Sequence, residues 1–211
     1  MNQFLSFLLN PNFNGEFKKP SARDIFLPLV VYFLLVIPLG VILFLITGLL
    51  DVSPKMLQLS YPERIVYGIL LTPLIEEIFF RLIYVFKKRN LYIIIFTSLC
   101  LLVLFIIKSE LNKAYLFLAI GFIFCMLIVF FQSCSTVFNN HFKFFFYALA
   151  AIFAVLHIFN FSGIESAKHF LIILLVIPQF ILGTILGYLR LTYGFLYAVG
   201  FHTMVNLSLL F

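Results

Sequence analysis

Apolar residues fall in long uninterrupted runs, at 26–50, 65–86, 91–107, 114–131, 144–160, 170–189 and 193–211, parted by short polar or basic segments. Runs of roughly 17–25 residues match a helix crossing the hydrocarbon core of a bilayer. None alternates with a period of two, which argues against a transmembrane barrel. The pattern predicts an all-α fold, a polytopic transmembrane helical bundle of about seven spans with a polar cavity inside the bundle. Residues 26–211 read as a single transmembrane domain. Residues 1–25 read as an N-terminal interfacial segment, in which Phe4, Leu5, Phe7, Leu8 and Leu9 make a short helix stopped by Asn10-Pro11-Asn12. That segment is not a signal peptide, because its apolar part is too short, no basic residue precedes it and no small-residue cleavage site follows.

Polar residues inside the runs change the picture. The second run contains Glu76, Glu77 and Arg81, the fifth His157, and the last His202 and Asn206. A charge at the bilayer centre costs about 2.5–3.5 kcal/mol even on a lenient scale, so these groups must face a polar interior. At about 1.5 Å per residue, Glu76 lies roughly 15 Å from Phe86, His157 roughly 20 Å from Phe144 and His202 roughly 14 Å from Tyr193. All three distances run from one membrane face, which predicts one cavity opening toward Lys87-Lys88-Arg89.

Helical spacing assigns roles. Glu77 and Arg81 are i,i+4 and can form a structural ion pair. Glu76 is about 100° around the helix, so it is the free carboxylate, placed to act as a general base. His202 and Asn206, also i,i+4, can aim a ring N–H and an amide into one space as oxyanion donors. Asn206 could equally bridge helices. His157 could share a water with Glu76. Phe153, four residues before His157, reads as packing. His141 and His169 lie at run ends and read as interfacial. Pro28, Pro38, Pro73 and Pro178 are tolerated kinks, and Pro73, less than a turn before the glutamates, could open the backbone there.

Composition supports the membrane reading. Of 211 residues 64% are hydrophobic, 30 are Phe and only 10% are charged, against about 25% charged in a soluble domain. The net charge of +6 is spread over short loops, where it reads as a topology signal and not as a nucleic-acid surface. The side of the N-terminus holds Lys18, Lys19, Arg23, Lys87, Lys88, Arg89, Lys143 and Arg190. The other side holds Lys55, Arg64, Lys108, Lys113 and Lys168. The excess predicts a cytoplasmic N-terminus. Phe-, Ile- and Asn-rich usage points to an AT-rich genome and a prokaryotic plasma membrane. Cys100, Cys125 and Cys134, odd in number and without a CxxC, read as small core residues.

The same polar residues carry a family resemblance. Glu76-Glu77-Ile78-Phe79-Phe80-Arg81 fits EExxxR, Phe153-Ala154-Val155-Leu156-His157 fits FxxxH, and His202-Thr203-Met204-Val205-Asn206 fits HxxxN, in that order. In these motifs, over a core from about residue 65 to 211, the chain resembles the CPBP (CAAX protease and bacteriocin-processing, or Abi) family of intramembrane proteases, which includes the type II CAAX prenyl endopeptidases. The resemblance implies a membrane endopeptidase in which Glu76 and His157 position a water while His202 and Asn206 hold the oxyanion. The expected partners are the lipid bilayer and a membrane-associated or lipidated peptide or protein substrate. No cofactor is required for a Glu/His-activated water. If zinc is bound, Glu76, His157 and His202 are its ligands, although no HExxH helix is present. Two other classes remain: a small proton-coupled transporter, against which stands the lack of a two-halves repeat, and a non-proteolytic partner such as a bacteriocin immunity protein or scaffold.

Overall fold

Without water, a backbone in lipid must satisfy its own N–H and C=O groups, and helices do this within one segment. The computed structural model describes residues 2–13, 15–50, 52–162 and 169–208, and it is an all-α protein. Its helices are α1 (Asn2–Leu9), α2 (Ala22–Leu50), α3 (Tyr61–Glu63), α4 (Thr72–Arg81), α5 (Lys88–Ile107), α6 (Leu111–Val129), α7 (Phe131–Asn140), α8 (Phe142–Leu156), α9 (His169–Thr192) and α10 (Phe195–Leu207). A two-residue antiparallel bridge pairs β1 (Ser53–Pro54) with β2 (Phe161–Ser162). Lys168 and the last residues of the expected final span lie outside the described residues, and so does the side chain of His169.

Among the described residues, five stretches are long and apolar enough to cross a membrane: Ala22–Leu45, Lys88–Ile107, Leu111–Val129, Phe142–Asn160 and Ile173–Thr192. They match five of the expected runs. The other two, which carry Glu76 and His202, differ from expectation. The run 65–86 is not one α-helix: Arg64–Leu71 winds as a π-helix, α4 follows, and the helix stops at Arg81, with turns leading to Lys87. The last run is α10, of 13 residues. The polar stretch after α6, expected as a loop, forms α7. Its Phe131 and Phe138 stack on Phe86 at 5.4 and 5.1 Å, a long-range contact that local sequence does not announce.

Local chemistry starts the second helical run. Ser60 caps α3, and the Glu63 carboxylate accepts the Ser60 N–H at 2.9 Å and the Ser60 hydroxyl at 2.6 Å. The hydroxyl first, then the N–H, hold the exposed Glu63 carboxyl below its ordinary range. The cap is therefore complete at neutral pH and is lost as pH falls through that lowered value.

The centre of the bundle is α9. In its spanning window 67% of residues are buried, against 11% in α2 and in α6, whose apolar side chains face outward. It packs against α2, α8 and α10. Lipid offers no hydrophobic drive between helices, so close association needs small residues that let backbones approach. Gly183 and Gly187 of α9 let Ala150 and Phe146 of α8 approach in this way. A methyl group on Gly183 would stand 3.5 Å from the Ala150 Cα, and one on Gly187 would stand 2.5 Å from Cε2 of the fully buried Phe146. At the Tyr188 end of α9, α1 docks onto it. Phe4 and Phe7 meet Tyr188 edge-on at 4.9 and 5.2 Å, and the Tyr147 hydroxyl of α8 donates to the Leu8 carbonyl.

Gly187→Ala should therefore overpack the α8–α9 contact. The expected loss is about 1–3 kcal/mol, measured as a lowered thermal unfolding midpoint in detergent. Gly40→Ala, with nothing within 4 Å of the new methyl, should show no such loss.

Candidate active site

Three helices deliver the polar residues. In α4, the i,i+4 spacing places Glu77 over Arg81, and Arg81 Nε lies 3.3 Å from Glu77 Oε2 with both side chains fully buried. Among the described residues, none of its three guanidinium nitrogens has a partner in hydrogen-bond geometry. Instead Cζ of Arg81 lies 4.4 Å over the Phe153 ring and 5.9 Å from that of Phe80, where the aromatic face is negative. The backbone carbonyl of Arg81, near the end of α4, accepts Arg190 Nε of α9 at 3.1 Å.

His157 sits at the last turn of α8, where the helix tightens into a 3-10 turn, His157–Asn160. Its Nδ1 donates to the Phe153 carbonyl at 2.7 Å. A carbonyl only accepts, so this bond fixes the proton on Nδ1 and turns Nε2 inward. Nε2 lies 3.8 Å from Glu76 Oε1. His202 arrives from α10, 1% exposed. Its Nδ1 donates to Glu77 Oε1 at 3.1 Å, and its Nε2 lies 3.6 Å from Glu76 Oε2. Each oxygen of Glu76 thus faces the Nε2 of a different histidine, and each histidine has its other nitrogen committed. Glu76 and His157 are the accessible members, with 20% and 13% of their side chains exposed.

Glu77, expected to serve Arg81 alone, has two partners. One oxygen meets the guanidinium and the other orients His202. Spacing within α4 could not reveal a contact with α10.

Asn206 has a specific local task. Thr72 N–H bonds to the Tyr67 carbonyl, the i→i−5 register of a π-helix. In that register the next donor, residue 73, would serve the Gly68 carbonyl. Residue 73 is a proline and has no N–H. Asn206 Nδ2 donates to Gly68 O instead, at 2.8 Å. The amide of α10 closes the gap that Pro73 opens in the helix ahead of the glutamates, which leaves one Asn206 N–H uncommitted. This is the helix-bridging alternative read from sequence, with its cause.

The expected polar cavity opening toward Lys87-Lys88-Arg89 takes another form. Cavities of about 570 and 370 Å³ do lie on that face. The first is lined by α1, the following loop and the end of α9, and the second by residues including Phe13, Tyr84 and Lys87. Neither reaches Glu76, His157 or His202, which pack against one another. Among the described residues, no group of three or more His, Cys, Asp or Glu is arranged to hold a metal ion.

The Pro73–Asn206 relationship is testable by a double substitution. Asn206→Ala should destabilise the protein by about 1–3 kcal/mol, the cost of leaving the partly buried Gly68 carbonyl unsatisfied. Pro73→Ala restores the missing donor and should recover much of that loss in the double variant. Additive losses in thermal unfolding would contradict the pairing.

The chain matches no protein-family model, no curated protein and no solved structure.

Proposed function

We propose that this chain is an intramembrane endopeptidase that hydrolyses peptide bonds of membrane-associated or lipidated substrates with a water activated by Glu76 and the histidines. The observation that carries the proposal is the meeting of Glu76 with the Nε2 atoms of His157 and His202 from three helices, together with the commitment of both Nδ1 atoms. Two imidazole lone pairs and a carboxylate that face each other need donor protons among them. A water molecule supplies two. Intramembrane titratable residues that are not paired off mark functional sites, and the three motifs that resemble the CPBP family fall on these residues.

The reaction follows from the same geometry. Glu76 takes a proton from the water, with His157 Nε2 holding the water in line. The hydroxide oxygen bonds to the scissile carbonyl carbon, and the carbonyl electrons move onto its oxygen. His202 is held through Nδ1–H by Glu77, and its Nε2, 3.6 Å from Glu76 Oε2, takes that proton over from Glu76, so that the Nε2–H formed can donate to that oxyanion. This is the orienting role of a carboxylate behind a catalytic histidine. The uncommitted N–H of Asn206 can add a second donor. The C–N bond then breaks, and the proton passes from His202 back through Glu76 to the leaving amine. No step draws on a metal. The runs 65–86 and 193–211, which carry Glu76 and His202, complete a seven-span topology in a prokaryotic plasma membrane, and the basic excess near the N-terminus sets that end in the cytoplasm.

Two variants separate the glutamates. Glu76→Gln keeps shape and removes the base. Cleavage of a quenched single-span peptide or of a farnesylated peptide in proteoliposomes should fall by about 10²–10⁴-fold, with an unchanged unfolding midpoint. Glu77→Gln leaves Arg81 buried without its carboxylate and releases His202. It should lower stability by about 3–5 kcal/mol as well as activity. Loss of activity alone in both variants would refute this division.

Chelation tests the chemistry. Activity should survive dialysis against a strong chelator. Loss on dialysis with recovery on adding zinc would make Glu76, His157 and His202 ligands. Absence of cleavage, with proton movement into liposomes that Glu76→Gln stops, would point to a proton relay.

A further inference from the structure

Phe153 touches both arms of the site. It is 1% exposed. Its ring centroid lies 4.5 Å from that of His157 and 5.9 Å from that of His202. Its carbonyl holds His157 Nδ1–H, and its face lies under the Arg81 guanidinium. The close approach of α8 and α9 fixes the ring, since a methyl group on Gly183 would stand 3.2 Å from Phe153 Cδ1. Packing alone accounts for the burial. It does not account for a fully buried cation whose terminal nitrogens have no hydrogen-bond partner among the described residues and whose carbon centres on this ring. The negative face of the ring is, with Glu77, the countercharge to Arg81.

We infer that Phe153 is a positioning residue for the Glu76 site. Its carbonyl sets the His157 ring, and its face holds Arg81 so that Glu77 stays aimed at His202. One residue thereby aligns both histidines on the two oxygens of Glu76. The kinetic consequence rests on the hydrolytic reading above, whereas the alignment itself does not. The two arms are separable: the carbonyl arm belongs to the backbone and survives any substitution that keeps the helix, while the ring arm needs a negative aromatic face. A saturated or electron-poor ring of similar shape would keep the first and lose the second.

The test replaces Phe153 in the full chain with 4-fluorophenylalanine, pentafluorophenylalanine and cyclohexylalanine by site-specific incorporation. The imidazole nitrogens of ¹⁵N-histidine-labelled protein in micelles report the tautomers, and the quenched single-span peptide reports turnover. In the pentafluoro and cyclohexyl variants His202 should lose its single Nδ1–H form while His157 keeps its own. In parallel, kcat should fall by about tenfold or more, the scale of misplaced reacting groups, with KM little changed. The 4-fluoro variant should lie between these and the native protein, and it decides the matter if the cyclohexyl variant does not fold. Native His202 spectra and native kcat in the electron-poor variants would overturn the inference and leave Phe153 as packing. If even the native chain cleaves nothing, the hydrolytic reading fails, and the His202 tautomer still decides whether Phe153 positions the site.

Discussion

A guanidinium with no exposed surface, set among aromatic rings, has to be neutralised on the spot, because a lone ion in such a medium is expelled or destroys the fold. Arg81 is that ion. Glu77 meets it through one oxygen and the Phe153 ring through its face. Both partners then impose further order. Glu77 spends its second oxygen on His202, and Phe153 spends its carbonyl on His157. The neutralisation of one charge thus draws α4, α8 and α10 to a common point and leaves Glu76 at that point without a cation of its own.

A second constraint concerns the backbone ahead of the glutamates. A proline two residues into α4 removes a donor, and a carbonyl without a partner is costly where no water competes. The π-helical winding of Arg64–Leu71 moves the deficit to Gly68, and Asn206 answers it. π-Turns are rare and recur at functional sites. Here the turn has an identifiable cause and ties α10 to the segment before α4, so His202 and Asn206 anchor one helix at two points, a side chain and a main-chain carbonyl.

Much of this was legible before any coordinates. Continuous apolar runs gave the helical membrane class, and charges that lipid would not tolerate singled out residues that the structure brings within 4 Å of Glu76. The distances along each helix were a weaker guide, since they assumed one straight α-helix to Phe86, whereas the helix is π-wound at its start and ends at Arg81. Two local signals lay in plain view: Ser60-x-x-Glu63 as a capping box, and Gly183-x-x-x-Gly187 as a small-residue pair suited to a close helix contact. The second contact of Glu77, the donor for Gly68 and the stacking that stabilises α7 all join residues far apart in the chain. No local rule reaches them.

The order in which these partners are synthesised has a cost for the nascent chain. The Glu77–Arg81 pair is four residues apart and can close as soon as α4 winds. The partners of Glu77 and Gly68 on α10 come 125 and 138 residues later, a delay of roughly 6–30 s at a translation rate of about 5–20 residues per second. Through that interval Glu76 lacks His202, and the Gly68 carbonyl lacks its amide. The segment that becomes the chemical centre must therefore be sheltered by the insertion machinery until α10 arrives.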